Sequence, residues 1–224
     1  MTFKAPDSLA EQIAHHLAER IIRGELKPGE RIQEQKVTQA LNVSRGSVRE
    51  ALLILERRHL VVILPRRGAQ VTVLNAHNVT SLCGLMSELY ILLANAVVER
   101  WRTEDDLAPF VQIQQRLQVS FEQQDVKAFV EESFNVMRAA YPFASNPYLE
   151  ETVENLQPSM SRSYFLAIEQ RKADMGDYLA LFDELLGAVI ARDLPKIRAV
   201  LIAYCQRSCQ LVLAELVRAA LAAD

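Results

Sequence analysis

Two segments with helical spacing of apolar residues meet across only three residues, Asn42 to Ser44, and that short connection constrains the fold more than any other feature. In EQKVTQAL, Val37, Ala40 and Leu41 share one face; in SRGSVREALLILERR, Val48, Leu52 and Leu55 do the same. Asn42 tolerates the left-handed backbone that closes a helix, and the Ser44 hydroxyl can cap the next one. Two short helices joined so tightly must cross, which predicts a helix-turn-helix. Upstream, Leu9, Ile13, Leu17 and Ile21 recur every four residues, with Ser8 as N-cap, Glu11 three residues on and Gly24 as the stop. LKPGERI reads as a turn into a short extended segment. Downstream, the β-branched runs VVIL and AQVTVL flank PRRG, the pattern of a hairpin with a basic tip. Residues 1–75 therefore read as a winged helix-turn-helix of three helices plus a β-hairpin wing.

Past Asn75 strand signals stop and every long segment has helical period. Helices are expected at 77–100, 104–122, 126–141, 147–170 with an interruption at Pro158, 174–192 and 194–222. Their starts carry capping chemistry in Thr103, Asp125, Asn146 and Asp193. The expectation is a mainly α protein, with residues 76–224 forming an all-helical bundle.

Charge is divided between the two parts. Residues 1–75 carry 12 Lys and Arg against 8 Asp and Glu, whereas residues 76–224 carry 13 against 20. A polyanion is thus expected to meet the first part only. Arg45 and Arg49 lie one helical turn apart at the start of the second helix of the helix-turn-helix, the end that enters a major groove. An arginine fork matches the two acceptors of guanine. Gly46 permits close approach, Ser44 and Ser47 can donate to phosphates, and Arg66, Arg67 and Gly68 form a basic tip for phosphates or a minor groove. The competing reading is a solvated face with ion pairs to Glu34 or Glu50.

Cys83, Cys205 and Cys209 are odd in number and lack metal spacing, so buried thiols are expected rather than a disulfide framework. No apolar run approaches the roughly 20 residues that span a bilayer, and the polar N-terminus is unlike a signal peptide, so a cytoplasmic protein is expected. His15 and His16 read as surface or packing residues, and His59 as packed at a helix end.

LxPGERIxE at 26–34, VSRGSVREALLILERRHLV at 43–61 and the PRRG wing resemble the DNA-binding signature of the GntR family of bacterial transcription regulators. The helical remainder resembles the FCD effector domain of its FadR-type branch. The resemblance implies a homodimer that binds a short palindromic operator on double-stranded DNA and releases it when a small-molecule effector occupies the helical domain. One position departs: Gln35 stands where the family often has an arginine to DNA, with Lys36 beside it as a partial substitute.

Many FCD domains hold a divalent metal with an Asp and three His. By resemblance those positions fall on Glu131, Asn135, Phe182 and Tyr204, with Phe134 and the SNP at 145–147 retained. The four histidines are His15, His16, His59 and His77. No metal and no other cofactor is therefore expected. Leu93, Glu131, Phe134, Asn135, Phe182 and Tyr204 are expected to line a chamber for a partly apolar effector, with Arg138 or Arg162 as a cation for an acidic one. A filled pocket, leaving a constitutive DNA-binding dimer, is the alternative. The helical part lacks histidine beyond its first helix, a Gly-rich phosphate loop and G-x-S-x-G, so an enzyme is not expected.

Overall fold

The computed structural model describes residues 8–65, 67–170 and 172–221. Its backbone divides into two compact units, Met1–Leu74 with Asn155–Arg162, and Asn75–Glu154 with Ser163–Asp224.

The first unit contains α1 (Leu9–Ile22), β1 (Arg31–Ile32), α2 (Glu34–Leu41), α3 (Arg45–Arg57), β2 (Val61–Leu64) and β3 (Gly68–Val71). Ser8 accepts the Glu11 N–H at 3.2 Å, which starts α1. Asn42 ends α2 with φ 53°, and Ser44 accepts the Ser47 N–H at 3.1 Å to start α3. The strands form an antiparallel sheet in the order β1-β3-β2, with Val61 opposite Val71 and Leu64 opposite Gly68. Ile13, Leu17, Ile21, Val48, Leu52, Leu55, Leu60 and Val71 make its core. Fully burying each large aliphatic side chain is worth roughly 1.5–3 kcal/mol, so this core orients α3.

Two expectations fail here. Ala40 is exposed, because it sits toward the end of the apolar stripe of α2, past the edge of the core. His59 is exposed at φ 56°, since the chain reverses there from α3 into β2. His15 and His16 are on the surface.

The part of the first unit drawn from 155–162 includes two side chains that satisfy backbone groups. Ser159 Oγ donates to the Arg58 carbonyl at 2.9 Å, and Arg162 donates to Thr72 Oγ1 and O, both at 2.9 Å. Burial lowers the Arg162 guanidinium to about 10.

In the second unit, α4 (Ala76–Arg100) packs on α9 (Leu194–Leu221), α5 (Glu104–Glu122) on α6 (Val126–Ala144), and α8 (Met175–Ile190) on α9. The remaining helix, α7 (Pro147–Gln170), contributes residues to both units. Capping follows the sequence: Thr103 and Asp106 form a reciprocal box, Asp125 accepts from Ala128 N–H, Asn146 from Leu149 N–H and Asp193 from Lys196 N–H. Backbone hydrogen bonds from Thr103 and Arg102 hold the Asp106 carboxyl below its ordinary range.

Pro158 does not interrupt α7, and Pro142 lies inside α6. Proline removes one backbone donor, but burial on both sides of Pro158, at Val153 and at Met160, Tyr164 and Ile168, holds the helix together. The apolar stretches also exceed the expectation: α4 and α9 are long and apolar enough to cross a membrane by length and composition. In this unit the two helices pack on each other. Cys83, Cys205 and Cys209 are free and buried, and burial pushes the Cys205 thiol up to about 12.

Candidate functional site

The exposed end of α3 brings together the residues singled out by sequence. Ser44 and Ser47 hydroxyls lie 2.9 Å apart at the helix start, where unpaired backbone N–H groups and the helix dipole favour an anion. Arg45 is exposed and makes no ion pair with a described residue. Arg49, four residues on, is also exposed, and its Nε donates to Glu34 Oε2 of α2 at 2.9 Å. That ion pair is the one the competing reading allowed. It is a surface pair, with the Arg49 side chain 67% exposed, so it contributes little to stability and leaves the guanidinium accessible.

A Cβ built on Gly46 would meet only Ser44 Oγ, at 3.7 Å. Folding alone therefore does not require glycine there. Gln35 and Lys36 are exposed on α2. At the wing tip Arg67 is exposed, and Gly68 has φ 79°, a backbone region that favours glycine. Arg66 lies outside the described residues.

The second unit holds two adjoining clefts. Tyr90, Val136, Met137, Phe182, Leu185 and Leu201 line both. The first adds Ser133, Tyr178 and Tyr204; the second adds Leu93, Val97, Phe110 and Val189. Four tyrosines cluster at the first cleft's end. Tyr178 and Tyr204 meet edge to face with centroids 5.4 Å apart, Tyr164 and Tyr178 at 4.9 Å, and Tyr90 and Tyr204 at 6.5 Å. Burial raises the hydroxyls of Tyr90 and Tyr204 well above the usual phenol range, so both stay protonated.

Of the effector residues expected from sequence, Leu93, Phe182 and Tyr204 line these clefts. Glu131, Phe134, Asn135 and Arg138 are not among the lining residues. The reason is helical phase. The cleft face of α6 carries Phe129, Ser133, Val136, Met137 and Ala140, and Glu131, Asn135 and Arg138 project from other sides. Glu131 pairs with Lys127 at 3.5 Å, Arg138 with Glu154 at 3.0 Å, and Asn135 accepts from Arg138 at 3.2 Å. Phe134 is buried elsewhere. Arg162 is held by Thr72 in the first unit. Tyr90, Ser133, Met137 and Tyr178 were missed; the stripe Phe129, Val136, Met137 and Ala140 was the signal for the correct face.

The pair four residues apart that faces the cleft just beyond the motif positions is thus Ser133 and Met137, two positions after Glu131 and Asn135. A hydroxyl, a thioether, the Phe182 ring and the Tyr204 phenol do not fit a divalent metal that prefers imidazole or carboxylate. Among the described residues no group of three or more His, Cys, Asp or Glu could hold an ion.

Comparison with known proteins follows this division. Residues 9–71 match the model for bacterial regulatory proteins of the gntR family, and residues 87–207 match the FCD domain. The HTH-type transcriptional regulator McbR of Escherichia coli (strain K12) is 26% identical over 187 residues, covering 83% of this chain and 84% of McbR. The gluconate operon transcriptional repressor of Bacillus subtilis (strain 168) is 26% identical over 181 residues, covering 79% of this chain and 72% of the repressor. The solved structure of Escherichia coli McbR/YncC superposes with a TM-score of 0.81 at 24% identity, covering 94% of this chain and all of that one. A GntR regulator from Rhodococcus sp. RHA1 gives 0.74 at 21%, covering 93% and 99%. With a gntR-type helix-turn-helix followed by an FCD domain, the chain belongs to the gntR family of bacterial transcription regulators.

Proposed function

We propose that this regulator is a homodimeric cytoplasmic repressor that binds a palindromic duplex through α3 and the wing and releases it when a small, partly apolar molecule occupies the clefts of the helical unit. The observation that carries the DNA half is the pairing of Arg45 and Arg49, exposed and one turn apart at a capped helix start. In the major groove they are the base readers, with Ser44, Ser47 and the backbone N–H groups on phosphate. Gln35 and Lys36 lie on the preceding helix as further DNA contacts, and the wing tip at Arg66, Arg67 and Gly68 meets the adjacent backbone or minor groove. Repression is the role of the gluconate operon relative, which supports it here.

The clefts support the effector half. Leu93, Phe182 and Tyr204 belong to that site, and a ligand acts there through a difference in affinity between the DNA-competent and incompetent states of the dimer. Among the described residues, tyrosines are the only titratable ones that line the clefts, which favours binding over catalysis.

Selecting duplexes from a random pool with the purified protein at about 150 mM salt tests this reading, because nonspecific attraction is weakened there. Enrichment of a short palindrome with guanine in each half is expected; a folded dimer that enriches nothing contradicts it. Gly46→Ala separates folding from recognition. It is expected to raise the melting temperature, by up to about 1 kcal/mol of added stability, because alanine is the better helix former and the space is open. Binding to the selected palindrome should weaken as the added methyl meets DNA. A variant equally tight on the palindrome would remove Gly46 from the interface.

A further inference from the structure

Taken together, the two clefts have a polarity along their length. At one end, Tyr90 from α4, Ser133 from α6, Tyr178 from α8 and Tyr204 from α9 supply hydroxyls. At the other, Phe110 and Val189 belong to a wall in which Tyr90 is the only polar side chain among the described residues. Among the described residues, no Lys, Arg, His, Asp or Glu lines either cleft. The hydroxyls at the polar end are not all occupied. Ser133 donates to the Phe129 carbonyl at 2.8 Å, which leaves its oxygen free to accept. The hydroxyls of Tyr90 and Tyr204 make no hydrogen bond with a described residue. Since burial keeps both phenols protonated, each can donate.

From this arrangement we infer that the effector is a neutral amphiphile: one hydroxyl or carbonyl oxygen that accepts from Tyr204 or Tyr90, carried on an apolar ring or short chain that fills the Phe110–Val189 end. The inference rests on the effector reading above and names the class of molecule. A hydroxyl on the ligand can also donate to Ser133. A carboxylate is disfavoured, because an anion taken out of water here would meet neutral phenols and hydrocarbon, and the one cation whose charge reaches Tyr178 among the described residues, Arg207, is already paired with Asp174 and Asp177. The nearest candidate cation by sequence, Arg138, is engaged by Glu154 on another side of α6.

The test uses the full chain and two matched probe series, 4-alkylphenols from ethyl to hexyl and the corresponding 4-alkylbenzoates, titrated calorimetrically at neutral pH. At least one phenol should bind, about a hundredfold tighter than its benzoate partner. Tyr204→Phe keeps the ring contacts with Tyr178 and Tyr90 and removes only the hydroxyl. It should fold with an unchanged melting temperature and bind the phenol about fivefold more weakly. Benzoates that bind as tightly as phenols overturn the inference, as does a Tyr204→Phe variant with full phenol affinity. A low-molecular-mass bacterial extract, filtered free of protein, distinguishes the two levels of failure. If both series are silent but the extract releases the selected palindrome, the neutral class is wrong and effector control stands. Silence of both series and the extract overturns both.

Discussion

Arg49→Ala is expected to weaken binding to the selected palindrome by about 5- to 150-fold while leaving the protein folded. The range follows from roughly 1–3 kcal/mol for a bidentate contact to guanine. Stability should change little. The only described partner of the Arg49 guanidinium is Glu34, in an exposed pair, and such pairs contribute about 0–1 kcal/mol. Arg45→Ala should act similarly on DNA, and it has no described ion pair to lose. Arg49→Lys should recover little of the loss, because an ammonium cannot present the planar fork that spans both acceptors. Fluorescence anisotropy on the palindrome and on a scrambled duplex checks this. The fall should be large on the palindrome and small on the scramble; equal falls would make Arg49 a general phosphate contact.

Leu55→Ala should damage the same function by another route. Leu55 is fully buried in the core shared by α1, α3 and the sheet. Truncating such a leucine costs about 2–5 kcal/mol, from lost burial and the cavity left behind. Against the 5–15 kcal/mol that holds a typical domain, this is a large fraction. Amides of α1 and α3 that exchange through unfolding of this unit should then exchange about 30- to 5000-fold faster. Protection that matches the wild type would show that Leu55 does not anchor α3. DNA binding should fall only in proportion to the unfolded fraction, unlike the loss in Arg49→Ala.

The contrast between these residues shows what the sequence made legible. Helix starts were readable because a cap is a local event: Ser8, Ser44, Thr103, Asp125, Asn146 and Asp193 each accept a backbone N–H within a few residues. The common exposed face of Arg45 and Arg49 was readable for the same reason, since their spacing fixes it. Pro158 was misread because the local penalty for proline is visible in sequence, whereas the burial of Val153, Met160 and Tyr164 that outweighs it is tertiary. The cleft required both register and partners. Glu131 and Asn135 satisfied a motif, but a two-residue shift turns a helix by more than half a revolution, and the face that meets α8 and α9 carries Ser133 and Met137. Tyr90 and Tyr178 could be assigned to the site only after α4 and α8 were placed around α6.

The central claim, that α3 reads guanines through its arginine pair, is tested most directly by removing one acceptor from the base and one donor set from the protein. Each guanine of the selected palindrome is replaced in turn by 7-deazaguanine, which lacks the N7 acceptor, and binding is measured for wild type and for Arg49→Ala. At one guanine per half-site the base change should weaken wild type about tenfold and scarcely affect the variant, because the lost acceptor no longer has a partner. Losses that simply add at every guanine would contradict direct reading by Arg49.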